Sequence, residues 1–175
     1  MTQPSDGPYP EALIRTVEVG GQPLLLRPVR PQDAPRLVEA VGRCSPDDVR
    51  FRFAGGVRAL RLEQAARFAQ VDYDRQMGLV AETAAGDILG AARVDLDPQD
   101  GTAEYSIMVR SDQQGRGLGG LLLEAVRDYA IGRGAREVWG DVAADNGRML
   151  QLCDELGFRR EASADPGRFR VVWRP

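Results

Sequence analysis

The chain has 175 residues, 43% of them hydrophobic and 28% charged, with a formal net charge of -3. These proportions describe an ordinary globular domain with enough chain for one core, and nothing in the total charge favours nucleic acid. The sequence contains no histidine and no lysine, which removes Ser-His and Cys-His dyads, histidine bases, most transition-metal sites, Schiff-base chemistry and a phosphate-loop lysine.

Residues 1–15 open with a proline-rich polar stretch and read as a flexible tail ahead of one domain over 16–175. Neither a signal-peptide core nor an apolar run of membrane-span length is present, so the default location is the cytoplasm. Thr16 to Val19 and Leu24 to Arg27 read as short strands either side of Gly20-Gly21. Asp33 is a candidate N-cap for a helix carrying Leu37, Val38 and Val41, and Ser45-Pro46-Asp47-Asp48 starts another, broken at Gly55-Gly56. Leu62 to Val71 is a third helix, with Leu62, Ala65, Ala66 and Ala69 as its buried side. Met77 to Thr83, Ile88 to Leu96 and Thr102 to Arg110 form an antiparallel meander, joined by turns at Ala85-Gly86-Asp87 and Asp97 to Gly101. Leu118 to Arg133 is an amphipathic helix, and Glu137 to Val142 is a strand parallel to the last of the meander. Asn146 caps a final helix that ends at Gly157-Phe158, and Arg168 to Trp173 is the last strand. Cys44 and Cys153 fit no zinc spacing, and no metal is expected.

The stretch that organises the rest is Gln114-Gly115-Arg116-Gly117-Leu118-Gly119-Gly120, between a strand and a helix. Glycines there let a ligand approach the backbone, and the helix start aims N–H groups and partial positive charge at one point. That point suits a phosphate or pyrophosphate. Gly115-x-Gly117-x-x-Gly120 also spells a dinucleotide fingerprint, with Glu137 or Asp141 downstream. The preceding meander argues against it, because a dinucleotide fold would begin with this unit.

Gln114-x-x-Gly117-x-Gly119 after a strand ending in Val109 resembles the acetyl-CoA pyrophosphate loop of the GNAT superfamily of N-acetyltransferases. Leu26 to Asp33 is similar to that family's first strand and helix entry, and Asn146 to Phe158 to its last helix. Val71 to Met77, Ala103-Glu104-Tyr105 and Asn146 to Leu150 further resemble the acetyltransferase domain of bacterial protein lysine acetyltransferases of the Pat type. The resemblance implies an α/β (α+β) GNAT fold: a mixed, mostly antiparallel sheet with a central splayed parallel pair, flanked by helices.

It also implies acetyl-CoA as cosubstrate. Ile107, Met108 and Val109 would hold the pantetheine arm, Gln114, Gly115, Arg116, Gly117, Leu118, Gly119 and Gly120 the pyrophosphate, and Asn146 the arm from the other side. Glu104 matches the catalytic glutamate of the Pat-type enzymes, and a base is needed because a lysine ammonium must lose its proton before attacking a thioester. Asp141 is a second candidate base. Many members carry tyrosine where Cys153 stands, as the acid for the departing thiolate, so that role is open here. The implied partner is a protein with a target lysine, such as an AMP-forming acyl-CoA synthetase, with neither nucleic acid nor membrane involved. Two other functions share the loop: acetylation of a small amine, and a non-catalytic acyl-CoA sensor.

Overall fold

The computed structural model describes residues 7–54 and 56–175. Met1 to Asp6 of the expected tail, and Gly55 of the expected break, lie outside the described residues. Eight strands form one sheet: β1 (Arg15–Val19), β2 (Gln22–Pro28), β3 (Gln76–Glu82), β4 (Ile88–Asp97), β5 (Thr102–Val109), β6 (Glu137–Ala143), β7 (Arg159–Ala162) and β8 (Arg168–Trp173). Their order across the sheet is β1-β2-β3-β4-β5-β6-β8-β7. Five helices accompany them: α1 (Ala34–Gly42), α2 (Pro46–Phe53), α3 (Leu62–Ala69), α4 (Leu118–Gly132) and α5 (Gly147–Glu155). Every neighbouring pair of strands is antiparallel except β5 and β6, which are parallel.

Alternation along the central strands splits the core into two layers. Met77, Leu79, Ala92, Val94, Ala103 and Tyr105 face Leu118, Leu122, Leu123 and Val126 of α4, with Leu150 and Cys153 of α5. Val80 and Ala91 face the other way, against Leu37 and Ala40 of α1 and Ala65 and Ala69 of α3. Each fully buried aliphatic side chain contributes about 1.5–3 kcal/mol. Leu62, expected on the buried side of α3, is 57% exposed. It opens a helix of two turns whose contact face is made by Ala65 and Ala69.

Residues 9–15 are not a loose tail. The Tyr9 hydroxyl donates to Pro28 O at 2.7 Å, its ring packs edge-on against Tyr73, and Arg30 lies over it. Residues Glu11–Leu13 form a 3-10 turn before β1. β7 has no counterpart in the sequence reading. Its residues, Arg159-Arg160-Glu161-Ala162, lack apolar alternation, and it is held as an edge strand by β8 alone.

Asp33 precedes α1, but its side chain does not cap the helix. Its carboxylate takes two hydrogen bonds from the buried Arg27 guanidinium, at 2.8 and 2.7 Å, and one from the Arg30 N–H at 2.7 Å. Arg27 also reaches Glu82 on β3 at 3.0 Å. The network ties β2, β3 and the entry to α1. Burial pushes the Asp33 carboxyl up, but the bonds from Arg27 and the Arg30 N–H, with the charges of Arg27 and Arg36, outweigh it and hold the carboxyl below its ordinary value.

A depressed folded pKa contributes stability that is fully present above the unfolded value of about 3.9, and is lost as pH falls through the folded one. Asp33→Asn should therefore cost about 3–5 kcal/mol at neutral pH. Urea unfolding should show the gap between variant and parent closing below about pH 4.

Candidate active site

β4 and β5 stay paired from Gly90↔Val109 to Asp97↔Thr102, but β5 and β6 pair only at Thr102↔Glu137, Ala103↔Val138 and Glu104↔Trp139. Beyond Glu104 the two parallel strands part. The Arg110 N–H donates to Leu89 O at 2.9 Å, so Leu89 and Arg110 form a hydrogen-bonded rung. Antiparallel rungs alternate, which sends the main-chain groups of residues 104, 106 and 108 to β4. Past the last rung, the odd-numbered Ile107 and Val109 turn theirs toward β6, which has moved away.

Tyr105 sits where the strands part. In this register it would oppose Gly140, and a Cβ on Gly140 would lie 2.5 Å from the Tyr105 ring. The ring therefore crosses the face of β6, packs edge-on against Phe158, and brings its hydroxyl 3.2 Å from Cys153 Sγ. Cys153 is fully buried, and burial raises its thiol. A phenol does stand at this floor, but β5 supplies it rather than α5. Burial, then the neighbouring Cys153, raises that phenol well above its ordinary value.

The gap between the strands opens into a groove of about 890 Å³. Ile107, Met108, Val109, Gln114, Gly115, Gly117, Leu118, Gly119, Gly120 and Asn146 all line it. Gly115 and Gly117 have φ of 79° and 94°, a region that side chains other than glycine enter at a cost. Gly117 is the N-cap of α4, so the first N–H groups of that helix are left over at the groove. Arg116 is the exception among the expected binding residues. It does not line the groove; its side chain lies over the β1–β2 turn, 3.2 Å from where a Cβ on Gly20 would sit.

The loop is braced from α2. The Gln114 amide donates to Asp48 at 2.8 Å and to Val109 O at 3.2 Å. The Ser111 hydroxyl donates to the same Asp48 oxygen at 2.5 Å and accepts from the Ser45 N–H at 2.7 Å. Arg148 of α5 bonds to the other end of the Gln114 amide. Asn146 accepts from the Met149 N–H at 3.3 Å, so it caps α5 while lining the groove. Sequence reading treated Ser45 to Asp48 only as a helix start and missed its hold on the loop. The spacing of Ser45, Asp48 and Ser111 carries no local signal of it.

Glu104 does not line this groove. It faces a second cavity of about 510 Å³, with Ser106 and Met108 from the same face of β5 and Arg52, Phe68, Arg93 and Asp95 around them. The two cavities share Arg52, Tyr105, Ser106 and Met108, so they meet at the point where β5 and β6 part. Glu104 is open to solvent, yet partial burial, then the like charges of Asp95 and Asp141, raise its carboxyl; Arg170 and Arg52 pull it back. Asp141 lines the groove instead, with Ser163 at 3.5 Å from its carboxylate.

The C-terminal arginines behave as an ordinary charged face. Arg160 pairs with Asp154 at 2.6 Å and Arg170 with Glu137 at 2.8 Å. The Asp72-Tyr73-Asp74 segment is a capped turn, with Asp72 accepting from the N–H groups of Asp74 and Gln76. Among the described residues no helix is long and apolar enough to cross a membrane.

A parallel pair that parts beside a glycine turn and a helix N-terminus is the arrangement that the GNAT resemblance implies. The profile of the family described as "Acetyltransferase (GNAT) domain" matches residues 23–159, and the chain belongs to that family. It is an acetyl-CoA-dependent N-acetyltransferase. The GNAT domain of S. lividans PAT has the same fold, with a TM-score of 0.88 and 27% identity, covering 96% of this chain and 100% of that one. The acetyltransferase PA5475 of Pseudomonas aeruginosa is 29% identical over 148 residues, 83% of this chain and 80% of its own. The L-methionine sulfoximine/L-methionine sulfone acetyltransferase of the same species is 39% identical, but over only 46% of this chain and 49% of its own length.

Gly140→Ala should drive a Cβ into the Tyr105 ring and cost about 1–3 kcal/mol of stability. Tyr105→Ala in the same chain should recover part of that loss. Urea unfolding of the four-protein cycle measures the coupling, and strictly additive losses would mean that ring and glycine do not meet.

Proposed function

We propose that the chain acetylates a lysine side chain of a protein, such as an AMP-forming acyl-CoA synthetase, with Glu104 as general base. The observation that carries this reading is the position of Glu104. It occupies the last β5–β6 rung and lines the second cavity, next in the chain to Tyr105, which borders both cavities. On this reading the groove takes acetyl-CoA and the second cavity takes the acceptor. The likeness to the GNAT domain of S. lividans PAT over nearly the whole chain supports a protein acceptor. The partial likeness to the methionine sulfoximine acetyltransferase favours a second reading, acetylation of a small amine by the same residues.

The chemistry follows from the strand. Pantetheine lies beside Ile107 and Val109 and bonds to the main-chain groups they turn toward β6. Gly115 to Gly120 receive the pyrophosphate. The acceptor amine loses a proton to Glu104, directly or through a water, and attacks the thioester carbon. One of the free N–H groups of β5 holds the oxyanion, whose collapse breaks the C–S bond; the remaining proton on the attacking nitrogen passes to the departing thiolate, leaving the amide and CoA thiol. A carboxyl raised by burial and by the like charges of Asp95 and Asp141 is a better proton acceptor than an ordinary one.

Glu104→Gln should lower kcat by about 10² to 10⁴-fold and leave acetyl-CoA binding almost intact. The parent's kcat/KM should fall in acid with an apparent pKa above the ordinary glutamate value of about 4.3, and that limb should vanish in the variant. Thiol release with purified acyl-CoA synthetase, followed by mass spectrometry of its lysines, measures both. Turnover near that of the parent would remove Glu104 from the mechanism.

A further inference from the structure

Arg52 lies in the last turn of α2 and borders both cavities. It differs from the other arginines near the site. Arg93 is held by both oxygens of Asp95 at 2.9 Å, Arg50 by Asp145 at 3.0 Å and Arg110 by Asp112 at 2.7 Å. Arg52 instead rests over the rings of Phe53 and Phe68, 4.9 and 5.6 Å from their centroids. Among the described residues no hydrogen bond or ion pair holds it. Burial, then the like charge of Arg93, push its guanidinium down to about 10, while Asp95 and Glu104 oppose the shift from a distance.

The Arg52 nitrogens, which no group among the described residues bonds, are not sealed from solvent and stay open to an anion that enters the cavity. The planar fork, backed by two aromatic rings, is preorganised for a carboxylate. Arg52 borders both cavities with Tyr105, Ser106 and Met108 and feels the charges of Arg93, Asp95 and Glu104, whereas the glycine loop lies past Val109 on the groove side only. The anion it faces is therefore not the one held at Gln114 to Gly120. Glu104 and Arg52 line one cavity of about 510 Å³, so a single acceptor reaches both.

The geometry points to Arg52 as the residue that selects the acceptor, by binding a carboxylate carried close to the reacting amine. This rests on reading the Glu104 cavity as the acceptor site. The carboxylate has two sources: an acidic side chain flanking the target lysine in a protein, or the α-carboxylate of a free amino acid.

Two acceptor panels separate these sources. The first is a set of lysine peptides that differ only in Asp or Asn, and Glu or Gln, beside the lysine. The second is a set of free amino acids and their carboxamides. Transfer from acetyl-CoA is read by mass spectrometry and by thiol release. The parent should prefer the carboxylate member of each productive pair by about tenfold or more in kcat/KM, which is ~1.4 kcal/mol. Arg52→Met should lose that preference, Arg52→Lys should keep part of it, and circular dichroism checks that both variants fold. Preference within the peptide panel supports the inference and a protein acceptor together. Preference confined to the amino-acid panel supports the inference and overturns the protein-lysine reading. Transfer with equal rates for acid and amide, or a preference that survives Arg52→Met, overturns the inference and leaves the proposed reaction standing. No transfer to either panel overturns the inference, and the proposed reaction is then decided by the synthetase assay alone.

Discussion

Main-chain N–H and C=O groups inside a sheet are almost always paired, and this molecule leaves a short row of them without a strand partner. The row exists because β5 and β6 share only three rungs before they part. Neither strand is loose there. β5 stays bonded to β4 along its length, and β6 stays bonded to β8 from Val138 to Ala143. Each strand is therefore rigid on one side and open on the other. The same parting gives the groove its depth and places the N-terminus of α4 at its end.

Side-chain contacts line the place where the strands part. The Tyr105 ring occupies the space beside Gly140, and its hydroxyl reaches Cys153 beneath. On the loop side, Asp48 accepts from both Ser111 and Gln114, which fastens the glycine turn to α2. Farther out, the buried Arg27–Asp33–Glu82 network fixes how α1 leaves β2, and α1 packs with α3 beneath the second cavity. Packing and ion pairs remote from the groove thus set the geometry on which the proposed chemistry depends.

Much of this was legible in the sequence. The meander, the glycine loop, α4 and the parallel β6 each carry a local signal: alternation, turn residues or helical spacing. Side-chain destinations were harder to read. Asp33 has the spacing of a cap, but a buried arginine six residues earlier claims its carboxylate. Arg116 stands inside the motif, yet its side chain leaves for the β1–β2 turn. Tyr9 and the residues after it looked like tail because their partners, Pro28 and Tyr73, lie far along the chain. Glu104 was found by resemblance, and only the fold shows that it faces a cavity distinct from the groove. Nothing local marks Arg52, because its lack of a partner is a property of the folded neighbourhood.

The central claim is that the open edge of β5 and the turn after it together receive the coenzyme. Amide NMR of the protein titrated with acetyl-CoA tests it most directly. The account predicts that the N–H signals of Ile107, Val109 and Gly115 to Gly120 shift together with one dissociation constant, while those of Ser106 and Met108, bonded to β4, move less. A titration that saturates with the signals of Ile107, Val109 and the glycine turn unmoved would contradict it.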